Sequence, residues 1–107
     1  DIWSPEELLL AALADCYILT FRALAKSTDL EWRYINCVAT GVLDRDGPAI
    51  LFTSFNIDCE LEIGINATES DAMSILNRAK QSCFVSRALA VEPTLQASVR
   101  GLAGEKA

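Results

Sequence analysis

The residues of this chain best suited to chemistry are four cysteines, at 16, 37, 59 and 83, separated by 21, 22 and 24 residues. No Cys-x-x-Cys occurs and the chain has no histidine. The ligand spacing of a familiar zinc site is therefore missing, and no metal or other cofactor is expected. An even count would also suit disulfides, but no secretory pattern, basic and then apolar, stands at the start. The expected compartment is the reducing cytoplasm. There a cysteine is either a small buried hydrophobe or a reactive thiol. Cys59 alternates with Ile57 and Leu61 and reads as packing, and Cys37, in another alternating stretch, reads the same way. Cys83 lies in QSCFVSRAL, beside Ser82 and Ser86 with Arg87 one turn on. A helix starting at Ser82 would favour a thiolate there. Cys16 sits deep in a helix beside Asp15. Burial and a neighbouring carboxylate both disfavour its charged form, so local physics favours packing.

The elements that must position these thiols follow from pattern. Ser4-Pro5-Glu6-Glu7 is a helix start: Ser4 caps the free amides, Pro5 suits the first position, and Glu7 completes a capping box. Both glutamates favour the positive end of the helix dipole. The helix runs to about Lys26 and is apolar nearly all round, which in so small a domain implies a sheet on one side and a second subunit on the other. From Glu31 to Leu43 the pattern is that of a strand, and Asp44–Pro48 reads as a turn. Phe55, Ile57, Cys59, Leu61 and Ile63 then interleave with Asn56, Asp58, Glu60 and Glu62, giving one buried and one wet face. Together these segments predict a long antiparallel hairpin. A second helix starts with Thr68 or Ser70 as cap, carries Ala72, Ile75, Leu76 and Ala79 as its apolar stripe, and reaches about Ser82. Ser82 can cap a short following helix, Pro93 ends that region, and Thr94–Val99 is a last strand before a tail, GLAGEKA, expected to be mobile. The order is α-β-β-α-β: an α+β fold with a long buried helix and a second helix packed on an antiparallel sheet.

At 107 residues, with half of them hydrophobic and no repeat or linker, residues 1–107 make one small domain. A chain of this size buries a modest share of its surface, which favours help from a partner subunit. The longest uninterrupted apolar run, Leu8–Ala14, is too short to span a bilayer. A net charge of −6 argues against nucleic acid and anionic membrane as partners, since both call for basic patches.

Two stretches taken together go further. SPEELLLAALADCY resembles the (N/S)-P-E-(E/Q)-L…A…C motif of the OsmC/Ohr family, the osmotically inducible and organic hydroperoxide resistance proteins. QSCFVSRAL is similar to that family's second motif, a cysteine usually followed by Pro-Val-Ser. The spacing and the strand–strand–helix content between them match as well, so the resemblance covers nearly the whole chain. It implies an OsmC-like fold and a thiol-dependent peroxidase. Cys16 would attack the O–O bond of an organic hydroperoxide and become a sulfenic acid. Cys83 would resolve it to a disulfide, and a dithiol such as a lipoyl group would reduce that bond. Glu6 matches the family's active-site glutamate. The family forms intertwined homodimers with sites at the interface.

Helix geometry bears on that last point. Glu6 and Cys16 are ten residues apart, which is about 15 Å along a helix axis and about 80° around it. If both serve one site, the site is built across two subunits. This sequence also departs from the family. The family's active-site arginine comes from a strand ahead of this helix, and the family's N-terminal strands are expected to be absent, since nothing here precedes Asp1. Arg22 and Arg87 are the cations to consider in its place. Phe84 replaces the usual proline, and Asp15 replaces a small neutral residue. The alternatives are a catalytically silent OsmC-like domain that binds a small apolar ligand or partner protein, and a structural α+β domain with four buried thiols.

Overall fold

The computed structural model describes residues 4–101; apart from Gly101, the tail expected to be mobile lies outside them. Helix α1 spans Pro5–Thr28. Ser4 Oγ accepts from the Glu7 amide at 3.1 Å, and Glu7 Oε1 accepts from the Ser4 amide at 2.9 Å, so the predicted reciprocal cap is made. The helix runs past Lys26 and stops at Asp29, whose backbone turns left-handed with φ 58°. Aspartate tolerates that conformation better than most residues. One stripe, Leu13, Tyr17, Phe21 and Ala25, is fully buried. Each large member contributes about 1.5–3 kcal/mol by leaving water. The sheet covers that side, as the pattern predicts, but the rest of the helix is not buried: Leu8 and Leu19 are 56% and 54% exposed. By length and composition α1 would suffice to cross a bilayer, which the short run Leu8–Ala14 does not reveal. Its buried stripe places it as a core helix.

Strands β1 (Trp32–Asp46) and β2 (Ala49–Ile63) form the antiparallel hairpin. The turn is only Gly47-Pro48, because Asp44, Arg45 and Asp46 already pair with Leu51, Ile50 and Ala49. Gly47 has φ 63°, and a glycine at positive φ followed by proline suits a two-residue hairpin. Two irregularities set the register. Leu43 pairs with Phe52 but Val42 with Ser54, so Thr53 is an extra residue on β2. Its hydroxyl donates to Asp44 Oδ2 at 2.7 Å. Near the other end, Trp32 pairs with Ile63 and Tyr34 with Glu62, so Arg33 is extra on β1. That bulge puts Trp32 on the core side with Ile35, Cys37 and Ala39, where its ring meets Phe21 edge-on at 5.4 Å. Strict parity would have sent it to the opposite face.

Helix α2 (Glu69–Ser82) is capped by Thr68, whose hydroxyl accepts from the Asp71 amide at 3.1 Å. Its buried stripe is Ala72, Ile75, Leu76 and Ala79, as the spacing predicts. The Tyr17 hydroxyl donates to the Leu76 carbonyl at 2.8 Å and ties α1 to α2. After a short helix α3 (Phe84–Ala88), strand β3 (Thr94–Gly101) joins β2 in parallel. The sheet order is therefore β1-β2-β3, and the sheet is mixed rather than antiparallel throughout. The Arg100–Glu62 ion pair at 3.3 Å spans two residues in register across β2 and β3.

Candidate active site

Cys83 is the single residue between α2 and α3, with an extended backbone at φ −68° and ψ 123°. The cap expected at Ser82 falls one residue later, on Cys83, and α3 starts at Phe84; this changes which thiol the helix serves. As the residue ahead of α3, Cys83 makes no side-chain cap. The first amides of α3 are thus left without a partner from their own cap. The amides of Phe84 and Val85 instead lie close enough to the sulfur of Cys16, which reaches across from α1, to favour its thiolate. The fully buried Cys83 thiol lies beside the same sulfur and acts on it in the same sense.

These contacts decide the electrostatics. Burial pushes the Cys16 thiol up, but the Val85 amide, the Cys83 thiol, the Phe84 amide and the Thr20 hydroxyl together outweigh it and hold Cys16 below the ordinary cysteine value. Thr20, one turn along α1, also donates to the Cys16 carbonyl at 2.8 Å. Cys83 moves the opposite way. Burial pushes it up, and its bond to Cys16 and the charge of that sulfur add to the rise despite an amide bond from Ser86. One thiol of the pair is poised to ionise and the other to keep its proton. The sequence-based objections to a Cys16 thiolate fall away for a local reason: Asp15 is exposed, and the groups that set Cys16 are neutral donors from α1 and the α2–α3 junction.

Of the residues expected to form the site, Cys16 and Cys83 are brought together. Glu6 is not: it is exposed on the first turn of α1, and the continuous helix holds it about 15 Å from Cys16. Arg22 and Arg87 are exposed, and neither enters an ion pair among the described residues. Arg22 lies toward the far end of α1, in an open pocket with Lys26, Asp29 and Trp32. Sequence reasoning missed Thr20, which its spacing of four from Cys16 could have flagged. It also missed the Phe84 and Val85 amides, whose part depends on where α3 begins.

The comparison that decides the family is a match to OsmC-like protein over residues 1–98. The chain belongs to the OsmC-like family. A curated relative, the uncharacterised protein YmaD of Bacillus subtilis (strain 168), is 30% identical over 107 residues, covering 95% of this chain and 71% of the relative. Among solved structures, an OsmC-like protein of unknown function from Vibrio cholerae superposes with TM-score 0.78 at 20% identity. That match covers 88% of this chain but only 63% of the Vibrio chain, so this sequence spans less than two thirds of that relative. The organic hydroperoxide resistance protein OhrB of Bacillus subtilis superposes with TM-score 0.72 at 18% identity, covering 89% of this chain and 70% of OhrB. The fold is thus that of OsmC-like proteins, and membership suggests a redox or peroxide-stress function.

Proposed function

We propose that this OsmC-like chain is a thiol-dependent peroxidase that reduces organic hydroperoxides through Cys16 and Cys83. The observation that carries the reading is the pairing of the two thiols: one held below its ordinary value lies beside a second held above it. The Cys16 thiolate attacks the terminal peroxide oxygen. An S–O bond forms, the O–O bond breaks, and the leaving alkoxide takes a proton to become an alcohol. The Cys83 sulfur, giving up its proton, then attacks the Cys16 sulfenic acid, forming the disulfide and releasing water. A dithiol of the lipoyl type returns both sulfurs to thiols by exchange. The setting is a reducing cytoplasm, and the working unit is a homodimer in which Glu6 reaches the partner's Cys16.

Adding one equivalent of cumene hydroperoxide to the reduced protein should remove two thiols rapidly. Cys16→Ser should leave the Cys83 thiol free, and Cys83→Ser should leave a sulfenic acid on Cys16 that a dimedone probe traps. If Cys16 and Cys83 stay free in the wild-type chain, it is instead a silent OsmC-like domain.

A further inference from the structure

Two cysteines remain outside this reaction. The sequence marks Cys37 and Cys59 as separate packing residues on two strands, but the hairpin register makes them a directly opposed pair. Both side chains lie on the helix-facing side of the sheet, Cys59 buried and Cys37 half-buried. Directly opposed residues in an antiparallel pair have Cα atoms about 4.5–5.5 Å apart, inside the span that a disulfide bridges. The two thiols lie close enough to shift each other in opposite directions. We propose that Cys37 and Cys59 are a second redox dithiol, which organic hydroperoxides oxidise to a cross-strand disulfide.

The two sulfurs are unequal. The bond from Cys59 lowers the Cys37 thiol despite burial. Cys59 is pushed far up by that bond, by burial and by the neighbouring charges of Cys37 and Glu60. Cys37, the more exposed of the two, is therefore the attacking sulfur. Its thiolate takes the terminal oxygen of the hydroperoxide, the O–O bond breaks, and the alkoxide leaves as alcohol after protonation. Cys59 then loses its proton and displaces hydroxide from the Cys37 sulfenic acid, which leaves as water. Two electrons pass from the sulfur pair to the peroxide. Tyr17, fully buried, lies near Cys59, Cys37 and Cys83, so the two dithiols neighbour one tyrosine in the core.

This proposal shares its oxidant with the proposed function but does not need Cys16, and the double variant Cys16→Ser/Cys83→Ser keeps the two apart. The folded double variant, treated with excess cumene hydroperoxide, should lose its two remaining thiols in parallel. Unreduced peptides carrying Cys37 and Cys59 should then run as one linked species that dithiothreitol separates. Both thiols surviving, or Cys37 recovered as a sulfinic acid beside a free Cys59, overturns the proposal. If circular dichroism shows the double variant unfolded, the same peptide mapping on oxidised wild-type chain decides: a Cys37–Cys59 link supports the second dithiol, and its absence overturns it. Failure of the Cys16 reaction alone would appear as a wild-type chain that forms only the Cys37–Cys59 link.

Discussion

At the scale of residues, the unusual feature is a cysteine activated by neutral groups. A thiolate in a protein is commonly supported by a neighbouring cation or a helix N-terminus. Here the support comes from amides at the α2–α3 junction and from a second thiol. Phe84 matters in this light. The family motif has proline at that position, and proline has no N–H to give; Phe84 keeps an amide that favours the Cys16 thiolate. Phe84→Pro should fold, because proline suits the first position of a helix. It should also shift iodoacetamide labelling of the Cys16 peptide to higher pH. The sign follows from the chemistry: losing a donor to the charged form raises the thiol pKa, so less thiolate is present at a given pH below the midpoint. Phe84→Ala keeps the amide and should leave the labelling profile in place. Identical profiles for Phe84→Pro and wild type would remove that amide from the site. From its chain neighbours alone Cys16 looked like packing, and only the resemblance of the two motifs marked it as a nucleophile, because the residues next to it say nothing of donors arriving from another helix.

At the scale of elements, what could be read in advance was whatever is set within one turn or one strand. The Ser4–Glu7 cap, the alternation from Phe55 to Ile63 and the α2 stripe all depend on near neighbours, and all are present. Register was not legible. The turn is shorter than the polar run Asp44–Pro48 suggests, and Thr53 then adds one residue to β2. Were Thr53 paired in the ladder rather than bulged, Cys37 would face Asp58 rather than Cys59, and strict alternation gives no sign of that extra residue. Gly41 marks a second constraint in the same hairpin. A Cβ there would lie 2.8 Å from Phe52 Cε1 and 3.3 Å from Leu10 Cδ2, and the Phe52 ring is itself packed on Phe55 at 4.7 Å. Gly41→Ala should therefore cost about 1–3 kcal/mol in urea unfolding, as overpacking does. Adding Phe52→Leu should recover part of the loss, since the two positions are in contact. An unchanged midpoint for Gly41→Ala would mean that Phe52 moves aside freely.

At the scale of the whole molecule, the proposed site needs more than one protomer. Glu6 stands apart from Cys16, α1 leaves Leu8 and Leu19 more than half exposed, and Phe84 beside the thiol pair is 85% exposed. The proposed dimer would cover these groups and bring a carboxylate to each thiol. Mixing Glu6→Gln with Cys16→Ser tests the sharing of sites. Each mixed dimer would pair an intact Cys16 with an intact Glu6 from the other chain, so random exchange should restore roughly a quarter of wild-type peroxidase activity. No recovery, with subunit exchange verified by mass, would place Glu6 outside the shared site. The Thr53 bulge has its own consequence at this scale. It divides the hairpin into an outer tip, Leu43–Phe52, and an inner part that holds the cysteines in register. Residues can be added to or removed from the tip in matched pairs while the inner pairing stays as it is. Drawing Thr53 into the ladder would slide one strand by a single position and turn its side chains over, whereas deleting Thr53 would close the bulge and keep the pairs on either side of it. The tip is thus free to vary in length over evolutionary time in paired steps, and the bulge is where a single codon can be lost without moving the cysteines.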